Sequence, residues 1–312
     1  MANARLLSSV VAVEPLAPRR RRSLLRRVIC NWSVRLGGGV LCVLILAALF
    51  APWLGTIDPT AMDPGSGNLL PGTRGDFTSF DGDVISHWFI MGTDSLGRDI
   101  WSRALYGARV SITVGIAVAM LALVLGLCVG LTAGYFRRID GIVMRVMDGV
   151  MAIPAILFAV SLVALFGGTL LMVIVAVAVP EIPRVARLVR SVVLSLREEP
   201  YVEAAIALDT PTWKILLRHI LPNAIAPLII QGTYVCASAI LVEAILSFLG
   251  VGLPAEMPTW GNIMAEGRSQ FNQFPHNVLF PGIFLALTVL SVNVLGDGLR
   301  DTLDPKFNKR TE

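Results

Sequence analysis

The chain has 312 residues, of which 55% are apolar and only 15% charged, with a formal net charge of +4. A soluble domain carries roughly 25% charged residues, so this much apolar surface cannot be hidden in one water-soluble core. Ordinary soluble enzymes and binding modules are thereby excluded, and a lipid bilayer is the solvent that accepts such a chain.

Residues 1–35 form a basic tail with eight arginines, Arg19–Arg22 among them. An uncharged run from 36 to 57 follows, long enough to span. The basic region is long for a signal peptide and no small-x-small cleavage site follows cleanly, so 36–57 reads as a retained first transmembrane helix. Residues 58–109 are rich in Pro, Gly and Asp and form a long extracytoplasmic loop. Further uncharged runs cover 110–136, 149–180, 220–242 and 271–296. A helix needs about 20 residues to cross the hydrocarbon. The run at 149–180 is long for one helix and short for two, and Gly167-Gly168 in its middle is a natural turn.

Charge decides the count. With two crossings in that run the chain spans six times, and 21 of its 26 Lys and Arg residues fall on the side of the N-terminus. Positive residues stay cytoplasmic, so both termini are expected inside the cell. The expected layout is a cytoplasmic tail (1–35), a first span (36–57), an outer loop (58–109), a five-helix core (110–300) and a cytoplasmic C-terminal tail (301–312). The helices at 149–180 must then borrow Arg145, Asp148 and Glu181 at their inner ends.

The four cysteines, Cys30, Cys42, Cys128 and Cys236, form no CxxC pair and read as small core residues. His87, His219 and His276 are far apart, so neither a metal site nor a cofactor is implied. None of the three lysines, Lys214, Lys306 and Lys309, follows a glycine, so a phosphate-binding GxxxxGK[ST] loop is ruled out. No catalytic constellation and no nucleic-acid-binding feature is visible.

Within the core, residues 184–221, with six Lys and Arg from Arg184 to Arg218, make the longest expected cytoplasmic excursion after the tail, and 200–223 is its most informative stretch. Pro200 suits the first turn of a helix, with Glu203 near its positive end. Asp209-Thr210-Pro211 reads as a stop and a restart, with Thr210 as N-cap and Pro211 at N1. Trp213, Leu216, Leu217 and Ile220 would line one face of a second short helix. Two such helices at an angle make a knob that a partner could grip.

Glu203-Ala204-Ala205, position 209 and Ile220-Leu221-Pro222 together resemble the EAA motif of bacterial ABC-importer permeases. A second stretch, Met91-Gly-Thr-Asp-Ser-Leu-Gly-Arg-Asp-Ile-Trp-Ser-Arg-Ala-Leu-Tyr-Gly-Ala-Arg-Val-Ser111, resembles the GTDxxGRDxxSRxxxGxRxS signature of the C-type permease subunit of dipeptide, oligopeptide and nickel importers. Its marked positions are Gly92, Thr93, Asp94, Gly97, Arg98 and Asp99. The likeness extends over about residues 36–306 and leaves out the arginine-rich tail. It implies an all-α membrane protein of about six helices in a type I ABC-importer bundle, with a cytoplasmic coupling helix at Glu203, Ala204, Ala205, Asp209 and Pro222. The implied partners are a homologous B-type permease, two ABC ATPases, an extracytoplasmic substrate-binding protein and membrane lipid. The implied location is the cytoplasmic membrane of a prokaryote. The chain departs from the family at 209, where Gly is usual; Asp tolerates a left-handed turn better than most residues.

Glu243 interrupts the fifth span. An intramembrane charge is costly and usually faces a cavity or a partner, so Glu243 is expected either to line or gate the path or to pair structurally. Asp148, Asp297, Arg300 and Asp301 are expected in ion pairs at the inner helix ends. Peptide is the expected substrate, with nickel, glutathione or another small solute as alternatives. An ion-driven carrier would need titratable groups deep in several spans, and an intramembrane enzyme would need a nucleophile or metal.

Overall fold

The computed structural model describes residues 24–78 and 82–303. Most of the basic tail and of the C-terminal tail lies outside the described residues. Among the described residues there are twelve α-helices: α1 (Leu24–Cys30), α2 (Trp32–Leu49), α3 (Ile100–Tyr135), α4 (Arg137–Ala152), α5 (Ala155–Phe166), α6 (Leu170–Ala178), α7 (Ile182–Arg197), α8 (Pro200–Ala207), α9 (Thr212–Lys214), α10 (Leu221–Phe248), α11 (Trp260–Gly267) and α12 (His276–Leu303). The outer loop adds two antiparallel strands, β1 (Thr73–Thr78) and β2 (Val84–Phe89), paired from Thr73 opposite Phe89 to Thr78 opposite Val84. This hairpin departs from an all-helical reading. Its inner face buries Phe77 and Phe89, which with Ala61 form a small core of their own.

Four helical stretches are long and apolar enough to cross a membrane: α2, α3, Thr212–Phe248 and α12. The pair α4 and α5, bent by 82°, makes five if counted as one broken span. The fourth crossing of the sequence reading corresponds to α6 and α7, joined through a 3-10 turn at Val179–Glu181. The expected cytoplasmic stretch from Arg184 onward is corrected here: α7 lies against the uncharged part of α3. Val185, Val189 and Val193, spaced one helical turn apart, are buried. They meet Gly126, Gly130 and Gly134 of α3 in the same order, so the two helices run parallel. A Cβ at Gly130 would lie 2.6 Å from the Val189 Cβ, so only glycine permits this approach. At the shared end, Arg197 donates to the Tyr135 carbonyl at 3.0 Å. The arginines that suggested a solvated segment occupy the other face of α7 and pair with acids.

The main core joins α3, α5, α6, α7 and α10. The first span is fastened by Arg109 of α3, which donates to the Ala48 carbonyl at 2.6 Å and to the Leu49 carbonyl at 3.1 Å. These are orphan carbonyls at the C-terminal end of α2, the usual place for a cation. Cys30, Cys42 and Cys128 are exposed on the chain surface rather than in its core, and Cys236 is half-buried. Thiols are apolar enough for a surface that meets lipid.

Candidate functional site

The signature residues converge at the N-terminal end of α3. Asp94 is buried and saturated: one carboxylate oxygen accepts the Leu96 and Arg98 amides at 2.9 and 3.0 Å. The other accepts Arg98 Nε and Arg103 Nη1, both at 2.7 Å. Both guanidiniums also reach Glu266 of α11, Arg103 at 2.5 Å and Arg98 more closely still. The result is two cations and two anions in one largely buried cluster, the arrangement under which buried charge is tolerated. Asp99 caps α3 by accepting the Ser102 amide at 2.9 Å, and His87 Nε2 of β2 stands 3.6 Å from it. Thr93 donates to the Ser66 carbonyl and accepts the Leu69 amide, which stitches the outer loop to the signature. Gly97 has φ +75°, and a Cβ there would run into the Asp63 backbone. Asp63 has its carboxyl held below the usual range, chiefly by the Thr78 amide. Its contribution is therefore present at neutral pH and is lost only as pH falls through that lowered value.

The segment at 200–223, expected to couple to a partner, is built in the opposite way. In α8 only Val202 and Ala205 are buried; Tyr201, Glu203, Ala204, Ile206 and Ala207 are exposed. Leu208 is 81% exposed. The helix ends where Asp209 takes φ +53°, the left-handed turn expected of this position. The Thr210 amide then reaches the Ala205 carbonyl at 3.1 Å and the Asp209 amide reaches Ile206 at 3.0 Å. These two bonds form a Schellman close, which satisfies the last carbonyls.

The second helix differs from expectation in three respects. Pro211, not Thr210, is the N-cap of α9, and no side chain caps it. The helix is not separate: α9 runs through a π-helical stretch, Ile215–Ile220, into α10. Ile215 and Ile220 are the buried anchors, while Trp213 is 61% exposed and Leu217 is also exposed. Of the expected stripe, Ile220 is buried and Leu216 packs against the core, whereas Trp213 and Leu217 do not; a π-helix places residues five apart on one face, which brings in Ile215 instead. Pro222 follows directly on the π-helical stretch, in the first turn of α10.

Glu243 is fully buried inside the chain. It accepts from Ser247 at 2.9 Å and from Ser111 of α3 at 3.4 Å. A cavity of about 350 Å³ opens beside it, lined by Gly168, Ser247, Gly252, Leu253, Asn262 and Glu266 among others. Glu243 stands behind its wall, one hydrogen bond away through Ser247. Of the inner-end acids, Asp148 pairs with Arg187 at 2.5 Å and Asp297 accepts from Tyr234. Glu266 is not legible in the sequence because it lies 163 positions from Arg103, in a short helix, α11, without charge periodicity. The Gly126, Gly130, Gly134 spacing could have announced the α3–α7 contact.

Long apolar helices, a clamped loop before α3 and an exposed short helix, α8, have the make-up of a membrane-spanning component. Residues 122–309 match the family described as "Binding-protein-dependent transport system inner membrane component". The "Probable peptide ABC transporter permease protein" of Sinorhizobium fredii is 50% identical over 277 residues, 89% of this chain and 90% of that one. The dipeptide transport system permease of Alkalihalophilus pseudofirmus is 42% identical over 84% of this chain and 82% of its own length. The glutathione transport system permease of Pectobacterium atrosepticum is 42% identical over 77% and 80%. An inward-facing MetNI methionine ABC transporter chain shares the fold, with TM-score 0.51 and 19% identity, over 64% of this chain and 96% of that chain. The chain belongs to the binding-protein-dependent inner membrane component family and has the type I ABC-importer permease fold.

Proposed function

We propose that this chain forms half of the translocation path of a peptide importer. It pairs with a homologous B-type permease, is driven by two separate ABC ATPases, and receives substrate from an extracytoplasmic binding protein. Both termini are cytoplasmic, and the 58–109 loop faces outward. The observation that carries this reading is α8: a short, rigid, exposed helix, closed at Asp209, on a chain whose relatives are peptide permeases. Glu203 and Ala204 form the contact with an ATPase, while Ala205, expected beside them, is buried against the chain's own core and supports the helix from behind; Asp209 and Pro222 fix its angle. Glu243 acts at the gate through Ser247, behind the cavity wall. The relative named for glutathione favours a second reading, in which the cargo is that modified tripeptide or a similar small solute.

Reconstitution tests both. The chain alone in liposomes should neither hydrolyse ATP nor accumulate dipeptide. With its three kinds of partner, uptake should follow ATP, and unlabelled dipeptide should compete better than glutathione. Gradient-driven uptake by the chain alone would overturn the proposal, and competition by glutathione alone would favour the second reading.

A further inference from the structure

The helix α4 is held in an unusual way. None of its residues is buried. Apart from its chain link to α3, its side-chain ties among the described residues are two ion pairs, both to α7. Asp140 receives Arg190 through two bonds, at 2.5 and 2.6 Å, and Asp148 receives Arg187 at 2.5 Å. A planar guanidinium facing a carboxylate twice fixes orientation as well as distance.

Both ends of this arrangement lead somewhere. On one side, α7 runs into α8 with only Glu198 and Glu199 between them. Along the three glycines α7 is packed tightly against α3. On the other side, α4 turns by 82° at Ile153 and Pro154 into α5. The far end of α5 is the Gly167-Gly168 turn, packed so closely on Gly252 that no Cβ would fit at Gly168. Gly168 and Gly252 both line the outer cavity. A continuous path of packed or ion-paired elements therefore joins the exposed inner helix to the cavity at the outer end.

The geometry points to Asp140, Asp148, Arg187 and Arg190 as positioning residues that carry motion of α8 and α7 through α4 to α5 and the outer cavity. The inference rests on the reading of α8 as the ATPase contact and names the link that reading leaves open. Transmission needs an element with two arrangements. An unburied helix held by charge can shift without opening a core.

The test uses the full complex of this chain with its partner permease, ATPases and binding protein in vesicles. ATP hydrolysis and dipeptide uptake are measured together. Asp140→Arg and Arg190→Asp should each lower uptake per ATP by at least about five-fold, the lower end of typical coupling between sites. The double swap should restore most of it, and Asp140→Glu should stay near wild type. Asp148 and Arg187 are half-exposed, so Asp148→Asn costs little stability and supplies a folded variant; it too should lower uptake per ATP. A purely structural role would lower thermal stability and leave the ratio unchanged. Wild-type ratios in the single variants, or a double swap no better than either single, would overturn the inference. Failure of the wild-type complex to take up dipeptide would instead defeat the peptide-importer reading.

Discussion

The signature loop before α3 and the segment around α8 are both marked by strong sequence motifs, yet they are built on opposite principles. At the signature site Asp94, Arg98 and Arg103 are buried and, with the partly exposed Glu266, form a neutral cluster whose charges answer one another. Around α8 the backbone is satisfied by its own Schellman close, and most side chains of that helix are left exposed. A cluster of paired charges positions elements; an open face on a rigid helix offers itself to a partner. A motif by itself does not say which kind it marks, whereas burial and hydrogen-bond accounting do.

The largest effect should come from opening that cluster. Arg103→Ala leaves Asp94 and Glu266 short of a partner inside the protein. Removing one member of a buried ion pair costs about 3–5 kcal/mol. Purified yield and melting temperature in detergent should fall sharply, together with every activity. If Arg103→Ala melts like wild type and loses only uptake, the signature site is a working surface and the contrast with α8 is broken.

A smaller loss is expected at the contact between α3 and α7. Gly130→Ala puts a methyl group 2.6 Å from the Val189 Cβ and 2.7 Å from the Ala186 carbonyl. Overpacking of this kind costs about 1–3 kcal/mol. A lowered melting temperature is expected, and an unchanged one would show that α7 does not bear on α3 as described.

These positions also show how much could be read in advance. The apolar runs at 36–57, 110–136, 220–242 and 271–296 located α2, α3, α10 and α12, because hydrocarbon length imposes itself on composition. The helix α7 was misplaced because Arg184, Arg187 and Arg190 dominate its composition, while its valine face has meaning only opposite three glycines some 60 positions earlier. The hairpin was passed over because strands of six residues leave a weak signal between turn formers. At the candidate sites, Asp209 was legible because a left-handed position restricts residue type. Glu266 was not, because a long-range ion pair leaves no trace in spacing. The π-helical register of Ile215 and Ile220 was hidden for a related reason: it arises from how the chain enters α10, not from local propensity.

The exposed site should respond mildly in stability. Asp209→Gly relieves a left-handed residue, an effect of about 1 kcal/mol, partly offset by the greater freedom glycine gives the unfolded chain. A slightly raised or unchanged melting temperature is expected, with uptake kept or improved. A marked loss of uptake would mean that the Asp209 side chain itself serves the contact.

The least destabilising change tests the most. Glu203→Arg places a cation in the first turn of α8, unfavourable by about 0.3–1 kcal/mol, too little to unfold the bundle. The decisive measurement is co-purification of the ATPase subunits with Glu203→Arg, beside its melting temperature. The account predicts a variant that inserts and melts like wild type, yields complexes depleted of ATPase and takes up no peptide. A Glu203→Arg chain that keeps its full complement of ATPases and transports normally would show that α8 is not the coupling surface.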